Sequence, residues 1–385
     1  MTPARIAIAL ASSLVFTAAL APAAGAAVAG PADRALDRAL QKVVRAPGGP
    51  PGVISTVRRN GKTFVHRAGV ADVDTGRRWR VFDHMRLAST SKAYSGAVAL
   101  SLVRRGRLDL DDTIGERLPA LPGAWAAVTL AQALHHTSGL PDYTANARFQ
   151  ADVGANPLRR FTPSELIAYV AGEPLQFRPG SAYGYSNTDN VVVALMAGAA
   201  TGQSYERLLR TRVFSPLGLS ATTLPPGPLL PRPFAHGYAV DPPGPVEDVS
   251  EVASMSWVWA SGGIVSTPTE LGRFIRGYVG GQLFGPTLRR QQRRWVDGHS
   301  EPIGPGTNSA GLALFRYRLG CGTVYGHTGN FPGYTQFAAA SSDGRRSATV
   351  SANTQLAQGR FSPPAFRALR RAFARAACAA LASGG

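Results

Sequence analysis

The chain has 385 residues, of which 44% are hydrophobic and 17% charged, which excludes a disordered or collagen-like polymer and predicts one large or two interleaved domains. Its 41 Lys and Arg against 23 Asp and Glu give a formal charge of +18. The arginines are spread along the chain, which argues against a nucleic-acid-binding protein, and two cysteines exclude a disulfide-dense scaffold and a four-cysteine zinc site.

Arg5 is the only charge among the first 26 residues, and the apolar run Ile6–Pro22 is followed by the small-residue site Ala24-Gly25-Ala26. Residues 1–26 therefore read as a signal peptide, and the mature protein is expected to be secreted or held in the cell envelope. Apolar residues at helical spacing predict a helix over residues 31–46, with Leu36, Leu40, Val43 and Val44 on one face. Two β-rich runs, residues 52–59 and 62–66, flank Asn60-Gly61 and predict a hairpin. Residues 94–105 read as a buried helix and residues 191–199 as another. Arg289, Arg290, Arg293 and Arg294 suit the solvated face of a helix. Strands are expected at 311–315 and 322–325, a hairpin over 336–350, and an Ala/Arg-rich helix over 364–382.

Helices and antiparallel strands thus come from both chain ends. The predicted fold is α+β: an antiparallel sheet flanked by N- and C-terminal helices, built from residues 27–109 and 256–385, with a mostly helical domain inserted at 110–255. In an oxidising compartment Cys321, in an expected strand, and Cys378, in the terminal helix, are expected to pair.

Three short motifs carry chemistry. In Ser89-Thr90-Ser91-Lys92, residues three apart share one helical face, so a serine hydroxyl and a lysine amine can touch. A serine needs an adjacent base, and a lysine serves once burial lowers its pKa. Only three lysines occur, Lys42, Lys62 and Lys92. Arginine would serve any solvated role, so a lysine at 92 is informative. Tyr185-Ser186-Asn187 offers a phenol to relay a proton and an amide to fix a lysine and a substrate carbonyl. His327-Thr328-Gly329 lies on a glycine-flanked strand edge where a substrate backbone can pair. His135 and His136 are adjacent, lack metal-ligand spacing and are expected to pack in a turn. No metal or cofactor is expected.

The order of these motifs, with Leu134–Tyr143, Ser215–Leu219, Ala260–Thr267 and Cys321–Gly329, resembles the serine β-lactamase/DD-peptidase superfamily, in particular the exported DD-carboxypeptidases of Streptomyces. The resemblance spans residues 35–380. It implies that Ser89 forms an acyl-enzyme, that Lys92 and Tyr185 move its proton, and that Asn187 holds Lys92 and the substrate amide. The backbone N–H groups of Ser89 and Asn330 would form the oxyanion hole. His327, Thr328 and Gly329 would face the substrate's terminal carboxylate, assisted by Arg316, because a histidine there offers less charge than the lysine usual in the superfamily. Phe149 and Trp257 match cleft-lining aromatics, and Cys321 pairs with a cysteine near the C-terminus in such enzymes. The implied activity is D-alanyl-D-alanine carboxypeptidase on peptidoglycan stem peptides, with β-lactams as covalent inhibitors or substrates, by a monomer. A β-lactamase, an esterase or D-amino-acid peptidase, and a non-catalytic penicillin-binding sensor are the competing readings.

Overall fold

The computed structural model describes residues 30–240, 244–357 and 362–382. The proposed leader, residues 1–26, lies outside the described residues. Helix α1 (Pro31–Val44) begins where Asp33 accepts from the Gly30 N–H, and it buries Leu36, Leu40 and Val43. Strands β1 (Gly52–Arg59) and β2 (Lys62–Gly69) form the expected hairpin. Asn60 and Gly61 both take positive φ, 49° and 73°, as the tight turn between them demands. Helix α2 (Ser91–Arg104) is followed in chain order by α3 (Asn187–Thr201) and α4 (Pro268–Gly280). Strands β3 (Thr307–Gly311), β4 (Leu314–Leu319), β5 (Gly322–Phe331), β6 (Tyr334–Ala340) and β7 (Ser347–Ala352) come next, and α5 (Pro363–Leu381) closes the chain.

All seven strands form one antiparallel sheet in the order β2-β1-β7-β6-β5-β4-β3. The N-terminal hairpin therefore docks on β7, and the two chain ends share one sheet. Helices α1 and α5 cover one face with a cluster that includes Leu36, Leu40, Phe366, Leu369 and Phe373. Helix α4 packs on the other face, joining the large cluster that also takes in α2 and α3. Between 110 and 255 the described chain holds short helices, α3 and one two-residue strand pair, with no strand of the main sheet.

The structure corrects some local readings. Residues 311–315 are not one strand: Gly311 ends β3, Leu314 and Phe315 begin β4, and Leu312 and Ala313 form the turn between them, with Ala313 at φ 47°. That turn is apolar because it is buried: Leu312 and Ala313 are 1% and 4% exposed, and the Ala313 N–H donates to Leu134 O. Cys321 lies in the turn between β4 and β5, where it is bonded to Cys378. The arginine cluster near 290 is only half solvated: Arg289 donates to Gly280 O, and Arg293 to Val279 O and Ser342 O. Helix α3 starts at Asn187, four residues before the predicted start, so Asn187 is its first residue.

Candidate active site

From Met85 to Leu102 every residue is buried except Ser89. Ser89 sits in a 3-10 turn, Ala88–Thr90, at the head of α2. The residue before it, Ala88, has φ 49°, a conformation that costs energy for any residue with a Cβ. The surrounding structure enforces it: Leu87 N–H donates to Ile264 O, and Thr90 N–H to Leu87 O. The turn therefore presents one half-open hydroxyl from an otherwise closed wall.

Lys92 follows three residues later and is fully buried. Its Nζ lies 3.1 Å from Ser89 Oγ, 2.6 Å from Asn187 Oδ1 and 2.9 Å from Ser261 O. Among the described residues it forms no ion pair. Burial lowers its pKa to about 7, against the opposing pull of Asp142, Glu301 and Asp189. The partner set decides what the neutral amine does. An amide oxygen and a backbone carbonyl only accept, so they keep the two remaining N–H groups. The freed lone pair can face only the Ser89 hydroxyl.

Asn187 is fixed by Asp142. Its Nδ2 donates to the Asp142 carboxylate at 3.0 and 3.3 Å and to Thr144 Oγ1 at 3.0 Å, which turns Oδ1 toward Lys92. The Asn187 amide is therefore saturated by protein groups, which corrects its expected use on a substrate. Asp142 and Thr144 are the pieces that sequence reasoning missed. Their signal was present in the Pro141-Asp142-Tyr143 run, but only the fold brings it to residue 187.

Tyr185 lies over Lys92, whose Nζ is 4.9 Å from the ring centroid. Its hydroxyl is buried without a hydrogen-bond partner. Burial drives the phenol pKa well above its usual 10, with the Ser89 hydroxyl opposing, so Tyr185 stays protonated. Behind it His136, left-handed at φ 58°, stacks 4.4 Å from the Tyr185 ring and pairs with Asp189 Oδ2 at 2.7 Å. His136 is thus part of a buried pair beneath the site and not only a turn residue.

Strand β5 forms the facing wall. Its pairing with β4 ends at Gly326, whereas pairing with β6 runs to Phe331. Residues 327–331 therefore have one strand edge free, which is the edge the sequence pointed to. Gly329 lies directly against the nucleophile turn: a Cβ there would meet Leu87 O at 2.3 Å and the Ser89 N at 3.0 Å. No other residue fits that contact. Asn330 follows it and lines the cleft, with Oδ1 accepting from Thr335 Oγ1.

The expected carboxylate ligands are placed differently. His327 is fully buried, and its Nδ1–H donates to Thr328 O at 2.6 Å. Burial lowers its pKa to about 3, so it is neutral and supplies no charge. The Thr328 hydroxyl is donated to Pro302 O at 2.6 Å. Arg316 lies on β4, bonded to Ser309 and stacked 4.9 Å over Trp295, and does not line the cleft. Of the two aromatics, Phe149 is core, 2% exposed amid Tyr143, Phe161 and Tyr169. Trp257 is half-buried and stacks on Phe331 at the end of β5.

Between these walls lies a cleft of about 830 Å³ lined by Ser89, Tyr185, Asn187, Glu301, Asn330 and Gln355 among others. Glu301 went unnoticed in the sequence, where nothing local marks it. Its side chain is exposed to solvent, and desolvation by the cleft walls raises its carboxyl pKa, against the opposing pull of His299 and Lys92.

Comparison with known proteins agrees with this geometry. A family model described as "Beta-lactamase" matches residues 36–372. Penicillin-binding protein 4* of Bacillus subtilis is 28% identical over 223 residues, covering 55% of this chain and 48% of that protein. The chain thus spans about half the length of that relative. Among solved structures, a D-stereospecific amidohydrolase from Streptomyces sp. shows 28% identity and a TM-score of 0.75 over 87% of this chain and 97% of that one. A D-amino acid amidase from Ochrobactrum anthropi, solved with L-phenylalanine amide, shows 25% identity and a TM-score of 0.79 over 90% and 98%.

Proposed function

The chain belongs to the β-lactamase family, and from that premise we propose that it is a hydrolase of D-amino-acid amide or peptide bonds that works through an acyl-enzyme on Ser89. The observation that carries this reading is the fully buried Lys92 amine 3.1 Å from the Ser89 hydroxyl, with a pKa of about 7. The free amine takes the Ser89 proton as Oγ bonds to the substrate carbonyl carbon. The Ser89 and Asn330 backbone N–H groups stabilise the oxyanion, each worth roughly 10²–10³ in rate. The protonated Tyr185 phenol gives its proton to the departing nitrogen and recovers one from Lys92 as the C–N bond breaks. Water then adds to the acyl carbon as Lys92 takes its proton, the C–O bond to Ser89 breaks with that proton passed to Oγ, and the acid leaves. This assigns Lys92 as base and Tyr185 as acid, the pair the sequence left open.

D-alanyl-D-alanine carboxypeptidase activity on peptidoglycan stems is one specific form of this reaction, supported by the motif order and by the free edge of β5. Hydrolysis of D-amino-acid amides is the other, supported by a cleft whose one carboxylate among the described lining residues, Glu301, has no ion-pair partner among them. The Cys321–Cys378 bond and the apolar leader support action outside the cytoplasm. Mass measurement after incubation with a fluorescent penicillin tests the acyl-enzyme: the account expects an adduct on Ser89, absent in Ser89→Ala. Release of D-Ala from diacyl-D-Ala-D-Ala, set against ammonia from D-Ala-amide, separates the two forms. Turnover of both by Ser89→Ala would overturn the reading.

A further inference from the structure

Glu301 stands apart from every other polar group in the cleft. Among the described residues it is the only carboxylate lining it, and it makes no hydrogen bond or ion pair with any described residue. It lies close enough to Lys92 and Tyr185 that its charge bears on the proton affinity of both. Among the described residues no Lys or Arg pairs with it, although His299, two residues before it on the same wall, and Lys92 both act to lower its pKa. Lys92 is held by three oxygens, Arg316 is bonded to Ser309, and His327 is buried and neutral. Apart from His299, the rest of the described lining offers no cation: Thr144, Asn330, Ile303, Gln355. A protein of formal charge +18 thus places a carboxylate in its active-site cleft with no lysine or arginine paired to it among the described residues.

A terminal carboxylate entering here would meet an unpaired carboxylate, with His299 the one described lining residue able to offer it a charge. A protonated amine would find a partner whose acceptor oxygens are unused. We infer that Glu301 is the ammonium-binding group of the cleft, and that the preferred substrate is an amide or short peptide whose acylating D-residue has a free α-amino group. The inference rests on the Ser89 acyl-enzyme reading. The bond balance is that of the general reaction: the D-aminoacyl carbon passes from nitrogen to Ser89 Oγ, then to water, and ammonia or an amine departs. Glu301 takes no proton in either step. It holds the ammonium and so sets where the scissile carbonyl lies against Ser89.

The test compares D-alanine p-nitroanilide with N-acetyl-D-alanine p-nitroanilide on the wild-type enzyme and Glu301→Gln. The wild type should prefer the free amine. The ratio of kcat/KM between the two should fall roughly ten- to a hundredfold in Glu301→Gln, as expected for loss of a charge-assisted hydrogen bond, with the loss carried by the free-amine substrate. Glu301→Lys should reverse the ratio and raise release of D-Ala from diacyl-D-Ala-D-Ala. An unchanged ratio in both variants, or a wild-type preference for the acetylated substrate, overturns the assignment of Glu301. Penicillin labelling of the same samples separates the levels. Ser89 labelled with the ratio unmoved sinks only the amine subsite. Ser89 unlabelled, with neither anilide cleaved, sinks the acyl-enzyme reading and this inference with it.

Discussion

Two cations, six residues apart, are both fully buried without an ion pair among the described residues: Arg86 and Lys92. Each is surrounded by neutral oxygens. Arg86 donates from Nε and Nη2 to Ser250 O at 3.1 and 2.6 Å, and from Nη2 to Pro228 O at 2.5 Å. Lys92 reaches Ser89, Asn187 and Ser261. Burial disfavours the charge at both sites. The outcomes differ because a guanidinium keeps its proton in proteins, whereas an amine can release one. Arg86 therefore serves as a tie between the segment leading into the Ser89 turn and the loops at 228 and 250. Lys92 becomes a base. The sharpest difference is that one partner of Lys92 is a hydroxyl able to donate back, whereas both partners of Arg86 are carbonyls.

That comparison can be broken in order of effect. Lys92→Arg keeps a cation but removes the proton acceptor, so acylation of Ser89 by fluorescent penicillin should fall by at least about 10³-fold while the circular dichroism spectrum is retained. Acylation near the wild-type rate would show that another group takes the proton. Arg86→Met should do the reverse: it orphans two buried carbonyls and should lower unfolding stability by about 2–5 kcal/mol in urea. The folded fraction should still acylate with the wild-type pH midpoint, and a moved midpoint would mean that Arg86 also tunes the base. Asp142→Asn should have the smallest effect. It removes one charge-assisted hydrogen bond to Asn187 and should cost about tenfold in acylation rate. Asp142 favours protonated Lys92, so its loss lets the free amine persist at lower pH. The acid limb of the pH–rate profile should therefore move to lower pH in Asp142→Asn, and a shift to higher pH would contradict the stated role of its charge.

The sequence showed what depends on neighbours in the chain. Asn60-Gly61 specified its hairpin through backbone conformation, and the three-residue spacing of Ser89 and Lys92 put them on one helical face. What it hid depends on partners far away. The turn at Leu312 and Ala313 reads as a strand because an apolar turn looks like one until Leu134 and the core cover it. Thr328 reads as a free hydroxyl until the loop carrying Pro302 folds against it. Arg316 is near the cysteine in sequence, but strand register places it opposite Ser309. Glu301 carries no pattern, and its meaning comes from its place in the cleft without a hydrogen-bond or ion-pair partner among the described residues.

The central claim is that Lys92 rests near neutrality, and the composition makes it directly measurable. Selective labelling of lysine Cε with carbon-13 gives three resonances, from Lys42, Lys62 and Lys92. Lys42 and Lys62 are exposed and serve as internal references, and the Lys92 signal is assigned by its loss in Lys92→Arg. The account predicts that this signal titrates at about pH 7. A Lys92 signal that titrates only near 10.5, the ordinary value of a solvated lysine, would mean a permanently charged amine beside Ser89 and no base at this site.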